Sequence, residues 1–260
     1  MSTAAVTLSE DARGVVHLDL HRADAFNALS SEVMAQMQAH LDALAQSETA
    51  RVVVIRAAGK AFCAGHDLRE MRATPSQAFY ETLFAQCSRM MLAIQRLPVP
   101  VIAQVHGIAT AAGCQLVAMC DLAVASSAAR FAVSGVNLGL FCATPSVALS
   151  RNLSRKAAFE MLVTGDFISA EQALAKGLIN AVCPPDELEA SVARYVESIL
   201  NKPRVALAMG KQLFYRQLEQ GIADAYDSAG QTMACNMMDE AALEGVQAFI
   251  DKRPPAWRSA

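Results

Sequence analysis

Charge is scarce in this chain. Only 18% of its 260 residues are Asp, Glu, Lys or Arg, against 53% hydrophobic residues. Disordered chains show the opposite balance, so that class is set aside. No excess of one sign exists either: 22 basic residues face 25 acidic ones, for a net charge of −3. Without a positive field there is little to hold a phosphate backbone, and nucleic-acid partners are not expected. No C-x-x-C pair occurs among Cys63, Cys87, Cys114, Cys120, Cys142, Cys183 and Cys235, and no Cys/His cluster has zinc spacing. A structural metal is therefore not expected. Scattered thiols suit a reducing compartment, either cytoplasm or a mitochondrial-matrix-like space. Neither a G-x-x-x-x-G-K-[ST] loop nor a strand-linked G-x-G-x-x-G is present, which argues against nucleotide-dependent and redox functions. Glu10 and Asp11 stand where a secretion signal would need an apolar run.

One stretch lacks charge altogether: Leu97 to Cys120 has no Asp, Glu, Lys or Arg. Its length would span a bilayer. Pro98, Pro100, Gln104, His106, Gly107, Gly113 and Gln115 interrupt it, and a lipid-facing helix could not satisfy those polar groups. The stretch reads instead as a buried strand, a Gly turn and a buried helix, so no membrane partner is expected.

What is present is an alternation of strand and helix signals. Ala4–Leu8 and Val15–Leu20 read as a hairpin around a polar turn. Ser30 is placed to cap a helix from Ser31, with Val33, Met34, Met37, Leu41 and Leu44 on one face. The β-branched run in Arg51–Ala57 suits a strand buried on both faces. Pro100–Val105 and Leu122–Ala125 read as further strands, with helices between. Strand–helix alternation predicts an α/β fold with a parallel sheet. Beyond Pro145 the pattern is mostly helical: Ser154–Val163, Ser169–Lys176, Asp186–Leu200, Arg204–Glu219 and Glu240–Asp251, with one strand at Ile179–Cys183. The chain divides into an α/β core over 1–200 and a helical region over 201–260.

Two loops could carry chemistry. Ala61-Phe62-Cys63-Ala64-Gly65-His66-Asp67-Leu68 follows a strand and opens a helix near Asp67. His106-Gly107-Ile108-Ala109-Thr110-Ala111-Ala112-Gly113-Cys114-Gln115 repeats that logic, with a helix from about Ala111. Small residues let a ligand approach the backbone, and free N–H groups at a helix start attract negative charge. Two such clusters at neighbouring strand ends could form an oxyanion hole. The same small residues could equally serve to pack helices tightly on a sheet.

Several segments in order, AFCAGHDLREM, PVPVIAQVHGIATAAGCQLVAMCDLAVAS, FNAL at Phe26–Leu29, GDFISAEQALAKGLINAV at Gly165–Val182 and EGVQAFIDKRPPAW at Glu244–Trp257, resemble the enoyl-CoA hydratase/isomerase family, the crotonase superfamily. The resemblance covers nearly the whole chain. It implies a crotonase-like ββα spiral core with a C-terminal helical trimerisation region, assembled as a trimer or a dimer of trimers. It implies an acyl-CoA thioester ligand whose carbonyl oxygen sits between the backbone N–H groups of His66 and Ala112, with coenzyme A as part of the substrate and no separate cofactor. Family members carry three glycines around the second donor, where this chain has Ala111-Ala112-Gly113.

By the same resemblance, the two glutamates of family hydratases fall at Gln115 and Gly135, and a third acidic site falls near Ala143. None is an acid here. Independently of any alignment, Asp121 is the one Asp or Glu between Thr82 and Phe159, and it reads as a structural carboxylate. Gln115 can hold a water but cannot take a proton near neutral pH. The His66 side chain could face the acyl pocket and move a proton, or His66 could contribute only its amide. His106 reads as a satisfied histidine, and Asp67 as a cap for the helix it opens. Ser134, Asn137, Cys142 and Thr144 fall where an acyl pocket is implied; no basic partner for Cys142 is visible. The resemblance places CoA along Arg22, Ala23, Ala25 and Phe26, along Ala61, Ala64, Gly65, Asp67, Leu68 and Arg69, and by Gly113, Ser134 and Gly135. Lys60 is a further candidate for the phosphates, whereas Asp24 stands where relatives often carry a lysine. Phe249 and Lys252 are candidates to reach a neighbouring subunit's CoA. The implied default reaction is hydration of trans-2-enoyl-CoA. The missing acids keep open a malonyl-type acyl-CoA decarboxylase and a noncatalytic acyl-CoA-binding oligomer.

Overall fold

The computed structural model describes residues 4–258. The strands are β1 (Val6–Glu10), β2 (Val15–Leu20), β3 (Val52–Ala57), β4 (Ala61–Cys63), β5 (Val101–Val105), β6 (Ile108–Thr110), β7 (Leu122–Ser126), β8 (Arg130–Ala132), β9 (Ile168–Ser169) and β10 (Ala181–Cys183). The α-helices are α1 (Ser31–Ala45), α2 (Leu68–Ala73), α3 (Gln77–Arg96), α4 (Ala112–Met119), α5 (Ala143–Asn152), α6 (Arg155–Thr164), α7 (Ala170–Lys176), α8 (Leu188–Leu200), α9 (Arg204–Gln217), α10 (Ile222–Met237) and α11 (Glu240–Ile250).

The strands form two sheets rather than the single sheet that the hydrophobic pattern predicts. One is six-stranded in the order β1-β2-β3-β5-β7-β10, and the other is four-stranded in the order β4-β6-β8-β9. Only the end pairs β1/β2 and β8/β9 are antiparallel. The chain therefore winds: β3, β5 and β7 enter the large sheet, β4, β6 and β8 follow each into the small one, and a helix returns. This is a ββα spiral. The small-sheet strands escaped the sequence reading because two or three residues show no period.

Burial explains the order. Val52, Val53, Val54 and Ile55 are all fully buried, as a continuous β-branched run requires. Val53 and Ile55 join the main core with α1 and α3, whereas Val52 and Val54 pack with Leu188, Val192 and Val196 of α8 on the opposite face. Ser30 caps α1, its hydroxyl accepting from the Val33 N–H at 3.3 Å. Among the described residues no helix is long and apolar enough to cross a membrane.

The last three helices behave differently. Neither α9 nor α10 buries a residue fully, and α11 buries only Ala248. Sequence reading missed α10, whose apolar positions Ile222, Tyr226 and Met233 are all exposed. One polar cluster ties α9 to the core. Lys211 Nζ donates to Asp121 Oδ2 at 2.6 Å and to the carbonyls of Ile94 and Val99 at 3.0 Å, while the Tyr215 hydroxyl donates to Asp121 Oδ1 at 2.8 Å. Asp121 also accepts from the Val101 N–H at 2.6 Å. Its structural reading is thereby explained: it joins β5, its own turn before β7, and α9.

Candidate functional site

The two small-residue loops meet. Segment 22–29 is laced to the first of them. Asn27, buried and at φ 54°, donates from Nδ2 to the carbonyls of Ala58 and Ala61, each at 2.8 Å. Ala64 N–H donates to the Phe26 carbonyl at 3.0 Å. Leu29 then bridges the strand end, donating to Gly65 O at 2.7 Å and accepting from Asp67 N–H at 3.2 Å. That pattern is parallel-sheet pairing around His66, and it turns the His66 N–H away from Leu29.

Glycine decides how close the loops come. Gly65 has φ 91°, and a Cβ there would lie 3.0 Å from Thr110 O and 3.1 Å from Ala112 N. A Cβ on Gly113 would collide with the Cys63 backbone carbonyl. So residues 63–66 and 110–113 pack backbone on backbone. Ala112 opens α4 as its first residue, where a helix N–H has no partner within the helix. Among the described residues neither His66 N–H nor Ala112 N–H donates to a protein acceptor. Ala111, the residue that caps α4, sits at φ 51° and ψ −121°. A non-glycine residue there is strained by about 1–3 kcal/mol. Ala112 itself is not at positive φ, so the strain falls one residue before the donor. Replacing Ala111 with Gly should stabilise the fold by about 1 kcal/mol. A melting temperature unchanged or lowered in that variant would contradict the strained geometry.

His66 and Ala112 both line a cavity of about 350 Å³. Its walls are Ala64, His66, Leu68, Met71 and Phe84 on one side, Thr110 to Ala112 beneath, and Ser134, Gly135, Leu138 and Leu140 to Pro145 on the other. Leu68, Leu138, Leu140 and Phe141 are also exposed and mark its open end. None of the wall residues is Asp, Glu, Lys or Arg. Ser134 Oγ and Thr110 Oγ1 are 3.0 Å apart and satisfy each other. The His66 ring meets Phe84 edge-on, centroids 5.3 Å apart, and burial pushes its pKa below the ordinary 6.5. The wall thiol of Cys142 is raised by burial, so it stays protonated near neutral pH. Cys63, Cys87 and Cys114 are pushed up to about 12 by burial.

Of the residues singled out from sequence, the cavity gathers Ala64, His66, Leu68, Ala112, Ser134, Gly135, Cys142, Ala143 and Thr144. Gln115 is not on the wall; it is buried in α4 with Oε1 unpaired. Asn137 is also off the wall and donates to Gly165 O at 3.3 Å. His106 lies outside it too, satisfied by Gly59 O at 2.9 Å. Gly135 has no room for a side chain: a Cβ would stand 2.5 Å from Leu140 O and 2.7 Å from Cys142 Sγ. Asp67 caps α2 through the N–H groups of Arg69 and Glu70, and Arg22 is paired with it at 3.0 Å. Lys60 and Arg69 are exposed beside the same loop, as is Asp24. Ala23 and Ala25 flank the short helical turn Ala23–Ala25, Ala61 is buried in β4, and Gly113 is the contact on Cys63. Phe249, 84% exposed on α11, and Lys252 are not wall residues. Sequence reading missed Met71, Phe84, Leu138, Leu140 and Phe141. They lie on helices and loops whose inward face only the spiral defines.

The family model described as enoyl-CoA hydratase/isomerase matches residues 10–260. The chain belongs to that family. Among curated relatives of this hydratase/isomerase chain, the mitochondrial enoyl-CoA hydratase domain-containing protein 3 of Rattus norvegicus is 43% identical over 252 residues, 97% of this chain and 84% of the relative. A crystal structure of an enoyl-CoA hydratase from Mycobacterium smegmatis is 62% identical with a TM-score of 0.97, covering 98% of this chain and 99% of that one. The human enoyl-CoA hydratase domain-containing protein 3 superposes with a TM-score of 0.94 at 41% identity, covering 97% of this chain and all, 100%, of that one. The ββα spiral with its C-terminal helices is thus the crotonase fold. Within this fold the described residues contain no group of three or more His, Cys, Asp or Glu able to hold a metal.

Proposed function

We propose that this family member is an acyl-CoA thioester enzyme that stabilises an enolate between two backbone amides. The observation that carries the reading is the pair of unpartnered N–H groups, His66 and Ala112, at the edge of an uncharged cavity. When a thioester becomes an enolate, charge develops on its oxygen, and preorganised donors in a dry site stabilise it. Removing one such donor slows reactions of this kind by about 10²–10³-fold. The acyl chain occupies the cavity, and coenzyme A lies outside it along Arg22, Phe26, Lys60 and Arg69. A homotrimer or dimer of trimers would cover the exposed apolar faces of α9 to α11.

By family default the reaction is hydration of trans-2-enoyl-CoA. A second reading, decarboxylation of a malonyl-type ester, is favoured by the crowding at Gly135: no acid can occupy that position without displacing Leu140. Decarboxylation needs the enolate site and no acid–base pair. A noncatalytic acyl-CoA binder is the third outcome. Isotope-edited infrared spectroscopy of a carbonyl-labelled crotonyl-CoA tests the common core of these readings. The bound thioester C=O band should move to lower wavenumber than in free crotonyl-CoA. A bound ligand with an unshifted band would overturn the two-amide site. Loss of enoyl absorbance with crotonyl-CoA, or carbon dioxide release from a malonyl-type ester, then assigns the reaction.

A further inference from the structure

A pair of hydroxyls stands on the wall of the acyl cavity. Thr110 ends β6, and the register of β6 on β8 sets it opposite Ala132, two residues before Ser134. The Ala111 N–H donates to Ala132 O at 3.0 Å and holds that register. Thr110 Oγ1 and Ser134 Oγ thus meet at 3.0 Å, and both residues line the cavity. Both are partly exposed, whereas Ala109, Ala112, Phe131, Ala132, Val133 and Gly135 around them are buried. Their exposure is therefore exposure to the cavity. Two hydroxyls bring two protons, and the bond between them uses one. Among the described residues neither hydroxyl has a further protein partner. One O–H proton and free lone pairs remain for whatever fills the cavity.

We propose, resting on the acyl-CoA reading above, that the Thr110–Ser134 pair is a subsite for an oxygen on C3 of the acyl chain, and that the preferred ligand is a 3-hydroxyacyl thioester. Location sets the carbon. Thr110 is two residues from Ala112, so their Cα atoms lie within about 7 Å of each other. With the thioester oxygen at the Ala112 N–H, the pair borders the first acyl carbons and not the far end of the chain. Chemistry sets the group. A ligand hydroxyl accepts the free proton of the pair and donates its own to a free lone pair. A ketone only accepts. A methylene does neither and leaves the pair's proton stranded against an apolar chain, which is unfavourable. A charged group is disfavoured, because the wall holds no Asp, Glu, Lys or Arg to pair with it. An alcohol is a poor acid and a poor base near neutral pH, so Thr110 and Ser134 position this oxygen and do not move its proton. Addition of water across the C2–C3 bond of an enoyl thioester puts an oxygen on C3, so the subsite suits the product of hydration better than a malonyl-type ester.

The test is calorimetric binding of butyryl-CoA and of the two enantiomers of 3-hydroxybutyryl-CoA. The readout is the ratio of affinities within each protein, which a general change in the cavity or in stability does not move. Wild type should bind one enantiomer about tenfold more tightly than butyryl-CoA, the worth of one or two neutral hydrogen bonds. The double variant Thr110→Val/Ser134→Ala should bring that ratio to within about twofold of unity. Thr110→Ser keeps a hydroxyl at the same place and should keep the preference. Should the double variant fold poorly, Ser134→Ala alone must still lower the ratio by about threefold. Equal binding of all three thioesters by wild type, or a preference that survives in the folded double variant, overturns the proposal and leaves the acyl-CoA reading standing. Failure of the wild type to bind any of the three overturns that reading itself, and the proposal with it.

Discussion

Asp121→Asn is expected to destabilise the protein by about 3–5 kcal/mol, because it strands a buried ammonium. The Lys211 side chain is only 7% exposed and that of Asp121 15%. Lys211 keeps two carbonyl acceptors after the change but loses the one negative charge near it. Burial already lowers the Lys211 pKa, and Asp121 opposes that. Without the carboxylate the folded-state value falls further below the ordinary lysine value of 10.5. Between the two values the unfolded chain binds more protons than the folded one, so stability of the variant rises with pH. The deficit against wild type should therefore be largest near neutrality and shrink toward the ordinary lysine range. Urea unfolding at about pH 7 and about pH 10 measures both parts. A deficit under about 1 kcal/mol at both values would mean that the pair behaves as a solvated surface bridge, and the tie between α9 and the core would have to be sought elsewhere.

Asp121 also shows how the sequence could and could not be read. Its isolation in an acid-free stretch marked it as structural, yet its partners Lys211 and Tyr215 lie some 90 residues on, in α9. No local pattern could pair them. The large-sheet strands were legible because a run such as Val52–Ile55 is apolar on both faces. The strands β4, β6 and β8 were not, since three residues each carry no period. At the site, the two loops were legible from their small residues, and the family resemblance named His66 and Ala112 as the implied amide donors. The reason for those small residues was left open between ligand approach and packing. The geometry joins the two: Gly65 and Gly113 pack backbone on backbone, and that packing brings His66 and Ala112 to one cavity. The mouth residues Leu138, Leu140 and Phe141 were illegible, because an exposed apolar loop residue gains meaning only beside the wall it completes.

Gly113→Ala should be the most damaging single-methyl change in the site. The added Cβ would overlap the carbonyl oxygen of Cys63 and stand 2.9 Å from the Cys63 Cβ. A backbone carbonyl at the end of β4 cannot rotate aside as a flexible side chain could. Either α4 or β4 must move, and overpacking of this kind costs about 3 kcal/mol. The same displacement carries the Ala112 N–H away from the His66 N–H, so acyl-CoA binding should weaken at least about tenfold even in the folded fraction, a change of roughly 1.4 kcal/mol. Gly210→Ala in α9 is the control. Its Cβ would meet nothing within 4 Å, and a helix-interior alanine should gain up to about 1 kcal/mol over glycine. Thermal unfolding separates the two variants by sign, and calorimetry with butyryl-CoA separates them by affinity. Were Gly113→Ala to match its control in both, the close approach of the two loops would not be what assembles the site. A loss of stability with affinity intact would divide the two roles of Gly113, leaving it to the packing of α4 on β4 and the amide pair to some other constraint, of which the Leu29 bridge around His66 is the nearest.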